Sequence, residues 1–190
     1  HFAMTAGTSG DRKLVPINDS LLRKTRRQLM QIFSIYLARN PNSSALLKSG
    51  LAMTGRSRIE ETPAGIPCGM ISGISIERTH RLIKARGVPS MGTLNVENWD
   101  TKLELMADEA SKRTIGYVAG IPGSIVSFFE TAKETLPRSE YERMCSGIEV
   151  ILTSGVNYRP YRQKTASLLG HEPEYVNVYM ASEGMLGYES

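Results

Sequence analysis

Cysteine is scarce in this sequence: Cys68 and Cys145 lie far apart, with no C-x-x-C spacing. That pattern argues against a disulfide framework or a zinc site and fits a reducing compartment, the cytoplasm. No apolar run approaches the ~20 residues of a membrane-spanning helix, and the mean hydropathy is -0.23. A membrane-spanning class is therefore set aside. The three histidines, His1, His80 and His171, show no metal-ligand spacing, and no G-x-S-x-G nucleophile signature accompanies them. An RNP-like aromatic pattern, a recognisable helix-turn-helix, internal repeats and low-complexity tracts are all absent as well.

What is present suits a packed domain. The 190 residues are 41% hydrophobic and 22% charged, enough for a core within one domain or one large piece of a bigger enzyme. The net charge is +4, and its placement says more than its size. Arg12, Lys13, Arg23, Lys24, Arg26 and Arg27 crowd the first thirty residues, whereas Glu172, Glu174, Glu183 and Glu189 stand near the end. The basic cluster is either a solvated helix face or an attraction for phosphates, of nucleotide or nucleic acid. The chain opens at His1, with nothing like a signal or transit segment before its first motif, and closes at Ser190 without a polar taper. It reads as a piece whose two natural flanks lie outside it.

Apolar periodicity predicts alternating strands and helices. Extended segments are expected at 2–5, 14–17, 115–119, 148–152 and 175–180. A long helix follows a cap at Asn18 or Asp19, with Leu22, Leu29, Ile32, Phe33, Tyr36 and Leu37 on one face, and ends at Pro41. Segment 54–73, rich in Gly, Pro, Ser and Thr, is expected to be irregular with one short strand, and 76–84 to be helical. Asn98 caps a helix carrying Trp99, Leu103, Met106, Ala107 and Ala110 inward. Another helix buries Ile125, Phe128, Phe129, Ala132 and Leu136, and Ser139 with Glu142 has capping-box spacing for a short one. A last helix, 160–169, stops at Gly170. This alternation is the pattern of an α/β fold with a largely parallel sheet flanked by helices.

Three strand exits carry the candidate chemistry. In Thr5-Ala6-Gly7-Thr8-Ser9-Gly10-Asp11-Arg12-Lys13 the two glycines permit a tight turn and close approach of N–H groups to an anion. Thr5, Thr8 and Ser9 add hydroxyls and Lys13 a charge. The composition cradles a phosphate, or else forms a plain turn between two strands. It is neither a Walker loop nor a dinucleotide fingerprint, because the lysine and the glycine spacing do not match. Thr153-Ser154-Gly155-Val156-Asn157 leaves a second strand ahead of a helix, and Tyr179-Met180-Ala181-Ser182-Glu183-Gly184 leaves a third. There the aromatic suits a base, the hydroxyl a phosphate and the carboxylate Mg²⁺. In open α/β sheets, ligands collect at the carboxyl ends of strands.

These stretches resemble one family. "TAGTSGDRKLVP" from Thr5 to Pro16 is similar to the first nucleotide motif of the adenylate-forming enzymes, and in particular of the auxin-responsive Gretchen Hagen family of acyl-acid amido synthetases. "YMASEG" from Tyr179 to Gly184 resembles that family's Y-x-x-S-E motif. "IGYVAGIPGSIVSFFE" resembles its central strand and helix, and "TSGVNYRPYRQ" its adenine-side loop. Ala6 stands where the family usually has Ser, one hydroxyl donor fewer.

The resemblance implies the fold of the large N-terminal domain of an adenylate-forming enzyme, here a single nucleotide-binding unit over residues 1–190. It implies an ATP- and Mg²⁺-dependent, AMP-forming ligase that adenylates a carboxylic acid and passes the acyl group to an amine or amino acid. By the same resemblance Gly7, Thr8, Ser9 and Gly10 would hold the ATP phosphates, supported by Thr5 and Lys13. Ser154, Gly155 and Val156 would line the adenine side, Tyr179 would pack on the ring, Ser182 would meet the α-phosphate and Glu183 would hold Mg²⁺. Val118 and Phe128 would border the acyl acid, although the Phe128–Phe129 pair and Trp99 also read as core. The family's third nucleotide motif and its cap domain, with the catalytic lysine, would lie beyond Ser190, so the isolated chain is expected to be inactive and to self-associate through uncovered surface. Two alternatives stand beside this reading: an acyl-CoA or acyl-protein ligase sharing the adenylation step, and a basic nucleic-acid-binding or interaction module.

Overall fold

A computed structural model describes residues 1–5, 13–181 and 184–189, the stretch 184–186 by its backbone alone. The chain opens with two short strands, β1 (Phe2–Met4) and β2 (Leu14–Pro16), followed by helix α1 (Asp19–Arg39). The Asn18 side chain starts α1 by accepting from the Leu21 N–H at 2.8 Å, which satisfies one of the amides a helix start leaves unpaired. After a 3-10 turn come β3 (Ser49–Ala52), β4 (Glu60–Glu61), β5 (Pro67–Gly69), α2 (Ile71–Glu77), α3 (Arg81–Lys84), β6 (Gly87–Val88), α4 (Met91–Leu94) and α5 (Trp99–Ser111). The remainder alternates: β7 (Ile115–Gly120), α6 (Pro122–Thr135), α7 (Arg138–Ser146), β8 (Val150–Ser154), α8 (Arg159–Leu169), β9 (Glu174–Ala181) and β10 (Gly184–Glu189).

The main sheet has the order β10-β9-β8-β7-β3-β6. Its strands run parallel from β6 to β9, and only β10 is antiparallel. A central strand of such a sheet is covered on both faces, which is why β8 reads Val-Ile-Leu without alternation. Val150 and Leu152 pack with Ile32, Phe33 and Tyr36 of α1. Ile151 points the other way, into a larger core with residues of α5, α6, α7 and α8. The largely parallel sheet between helices is the architecture expected from the alternation. A second, smaller sheet, β2-β1-β5-β4, was not expected, because its strands are two or three residues long and too short to show a period.

Other differences have local causes. The helix expected over 76–84 is two helices. α2 starts earlier, at Ile71, and α3 starts at Arg81, capped by the extended His80, whose Nδ1 accepts from the Leu82 N–H. Gly73 sets where α2 lies: a β-carbon there would sit 2.4 Å from the Gly55 carbonyl oxygen, so α2 rests directly on the 55–57 backbone. α7 begins at Arg138 after Pro137 and has no side-chain cap, so Ser139 is inside the helix rather than at its cap. Trp99 is not core: its ring is 39% exposed.

Candidate functional site

Five parallel strands bring their carboxyl ends to one edge of the main sheet. β8 and β9 are neighbours in register, with Ser154 opposite Val178, so Tyr179 lies one residue past the point where β8 leaves the sheet. Gly155 turns the chain out at φ +87°, a left-handed conformation that a side chain resists. Its open face meets Ile121, at the exit of β7, at an ordinary 3.5 Å from where a β-carbon would be. Asn157 then accepts the Arg159 N–H at 3.0 Å and turns the chain into α8.

Ser154, Gly155, Val156 and Tyr179 thus come together on adjacent exits. The Tyr179 ring is 68% exposed and Val156 49%. On β9, Val176 and Val178 face the α1 side while Tyr175 faces the other, and strand alternation puts Tyr179 on the Tyr175 face. Tyr179 pairs with Gly187 of β10 inside β9, and its side chain is left largely to solvent.

Thr5 and Lys13 close the base of the β1–β2 hairpin through a 3.1 Å hydrogen bond from the Thr5 amide to the Lys13 carbonyl. No hydrogen bond or ion pair of the described residues joins them to the β8 and β9 exits. Gly7, Thr8, Ser9 and Gly10, together with Ser182 and Glu183, lie outside the described residues. Val118 and Phe128, the residues expected to border the acyl acid, lie inside the protein. Both are fully buried in the larger core, and the Phe128 ring meets Phe129 edge to face at 5.2 Å. Val118 points into the α5–α8 layer and Phe128 returns from α6, so each fills the sheet–helix interface.

Two cavities flank the main sheet. The larger, about 640 Å³, opens at the opposite, amino-terminal edge. There Glu149 accepts from Lys48 Nζ at 2.6 Å, Ser43 Oγ at 2.5 Å and Ser44 Oγ at 2.8 Å. Burial pushes its carboxyl pKa up, but these donors outweigh burial and hold it at about 2. Asn40 Nδ2 likewise donates to Glu174 at 2.6 Å. These carboxylates staple α1 and its following turn to the strand starts and are already engaged. The smaller cavity, about 350 Å³, lies between α1, β3 and α3. Its walls are mainly apolar, formed by Met30, Phe33, Leu82, Ile83, Met91 and Tyr117.

One residue at the carboxyl edge was not singled out from the sequence. Lys102 is 1% exposed, and its Nζ donates to the Thr54 carbonyl at 2.7 Å and the Leu94 carbonyl at 2.9 Å. The Trp99 ring lies 5.8 Å from the ammonium. Burial, assisted by the nearby Arg56 charge, lowers its pKa to about 8. The signal was present in the spacing: Lys102 falls between Trp99 and Met106 on the inward stripe of α5, where a lysine has to find buried acceptors. Among the described residues no His, Cys, Asp and Glu cluster suits a metal ion, and no helix is long and apolar enough to cross a membrane.

Residues 1–107, more than half of the chain, match the model of the GH3 family N-terminal domain. The chain belongs to the GH3 family. This is the Gretchen Hagen family that its motifs resemble. Among solved structures it is similar to a GH3.15 acyl acid amido synthetase, with a TM-score of 0.64 at 11% identity over 98% of this chain. At that identity the likeness concerns the fold alone. The chain spans 41% of that synthetase's length. Apo MatB from Rhodopseudomonas palustris gives a TM-score of 0.45 at 14% identity, over 99% of this chain and 30% of its own, too distant to bear on the fold. No curated protein matches the chain.

Proposed function

We propose that this GH3 chain is the nucleotide-binding portion of an acyl-acid amido synthetase, which activates a carboxylic acid with ATP and passes the acyl group to an amine or amino acid. The observation that carries the reading is the pair of adjacent exits at the carboxyl edge, where Gly155 turns out in a left-handed conformation beside the exposed Tyr179 ring. A family member with this edge has what a purine needs: a flat ring to stack on and a backbone without side-chain obstruction.

The donor set suits Mg-ATP. Tyr179 would pack on the adenine with Ser154 and Gly155 beside it, Ser182 and the 7–10 loop would receive phosphate oxygens, and Glu183 would hold Mg²⁺. ATP supplies an AMP leaving group for a carboxylate that is otherwise a poor electrophile, and Mg²⁺ offsets phosphate charge. The residues of the chain orient, donate hydrogen bonds and exclude water; none need act as a covalent nucleophile. With Val118 and Phe128 committed to the core, the apolar cavity beside α1 is the better place for the hydrophobic part of the acid, since it reaches Ala52 and Pro89 at the carboxyl ends of β3 and β6.

Calorimetry of the chain with Mg-ATP at moderate salt tests the proposal. Saturable binding is expected, abolished by Gly7→Val and weakened by Glu183→Gln with little change in thermal stability. If the chain instead binds oligonucleotides in a salt-sensitive way, has no nucleotide preference and loses this with Arg23→Ala and Arg27→Ala, the basic-module reading replaces it.

A further inference from the structure

Lys102 presents a physical puzzle. It is a buried ammonium with no carboxylate in contact among the described residues, and its acceptors are two main-chain carbonyls from different elements. Thr54 follows the end of β3, and Leu94 is the last residue of α4, where helix carbonyls are otherwise left without partners. The charged groups around it are few. Arg56 stands in the β3 exit and pairs with Glu97 at 3.1 Å, and Asp100 lies in the first turn of α5. α4 itself carries no titratable residue. A buried charge of this kind is costly to keep, so its retention is better explained by placement than by stability.

The placement has a target. Met53 donates its amide to the Ala119 carbonyl at 2.7 Å, and its Cβ lies 2.5 Å from where a β-carbon on Gly120 would be. Gly120 in turn pairs with Thr153, and Ile121 touches the open face of Gly155. From Lys102 to Thr54, Met53, Gly120 and Gly155 the contacts run continuously along the carboxyl edge. The same segment is fixed from its other side by Asn95, whose Oδ1 accepts from the Ser57 amide at 2.9 Å and the Arg58 amide at 3.1 Å. Thr54 keeps a buried hydroxyl with no partner among the described residues, so at this position the segment is held by its carbonyl.

We propose that Lys102 is a positioning residue: by tying the β3 exit to the end of α4, it holds Met53 against Gly120 and so sets the β7 and β8 exits that form the ligand edge. The ligand half of this inference rests on the nucleotide reading above, whereas the backbone half does not.

The test uses Lys102→Met, which keeps the length and apolar stem but removes the donors, and Lys102→Arg, which keeps donors and charge. Lys102→Met is expected to melt within a few degrees of the parent, because removing a buried charge offsets the two carbonyls left without a donor. Its amides over 53–57 should nevertheless exchange at least 10-fold faster, and Mg-ATP affinity should fall about 5- to 10-fold. Lys102→Arg should recover most of both. A general loss of protection across the main sheet, or unchanged exchange at 53–57, overturns the proposal. If the parent binds no Mg-ATP, the nucleotide reading fails and the exchange result alone decides the role of Lys102. If exchange rises at 53–57 but Mg-ATP affinity is unchanged, the effect on the ligand edge is refuted.

Discussion

The two edges of the main sheet are built for different purposes. At the amino-terminal edge, strand starts are tied to α1 and its following turn by Glu149 with Lys48, Ser43 and Ser44, and by Glu174 with Asn40. At the carboxyl edge the contacts hold main chain: Lys102 on carbonyls, Asn95 on amides, and glycines allowing close approach. There the side chains of Tyr179 and Val156 are left to solvent. The larger cavity opens at the stapled edge, where the polar groups are spent on each other. Volume is therefore a poor guide to chemistry here; side chains without structural work are a better one.

The largest effect should come from between the edges. Phe128→Ala is expected to destabilise the chain by about 3–5 kcal/mol, measured by urea unfolding. A loss under about 1 kcal/mol would show that Phe128 contributes little to the core and favour a pocket-lining role. Next comes the stapled edge. The Glu149 pKa is lower folded, about 2, than the ordinary carboxyl value of 4.5, so its contribution is complete above pH 4.5 and is lost as pH falls toward 2. Stability should drop by about 2 kcal/mol across that window, and Glu149→Gln should flatten the drop. An unchanged acid limb in the variant would show that the staple is unimportant.

Lys102 titrates in the same sense, at alkaline pH. Its folded pKa, about 8, lies below the ordinary lysine value of 10.5, so between those values the unfolded chain holds more protons and stability rises with pH. Lys102→Met should remove that alkaline rise, as seen in melts from pH 7.5 to 10.5. Gly155→Ala should cost about 1 kcal/mol for its left-handed backbone while lowering Mg-ATP affinity. The smallest stability effect belongs to Tyr179→Ala, within about 0.5 kcal/mol, yet it should weaken Mg-ATP binding by roughly 10-fold if one stacked base is lost. Equal binding by that variant would dissolve the contrast between the edges.

Much of this was legible in the amino-acid order because it is local. Asn18 and Asn98 mark helix starts through side chains that reach amides three residues on. Gly170 ends α8 with φ +79°, and the apolar run of β8 announces a strand covered on both faces. The family motifs at 5–16 and 179–184 are likewise contiguous. What the order did not disclose is pairing at a distance. The strand Ser49–Ala52 has too few apolar residues to stand out and exists because β7 and β6 hold it on either side. The small sheet joins β1 to β5 across more than fifty residues. Val118 and Phe128 are as apolar as a pocket wall or a core requires, and only packing against α5–α8 showed both to be buried in the core. Lys102 became distinctive only when Thr54 and Leu94, distant in the chain, placed their carbonyls at its ammonium. Caps, turns and periodicity act over a few residues and can be read in order; sheet order, burial and the partner of a buried charge depend on which distant segments come to share one interior.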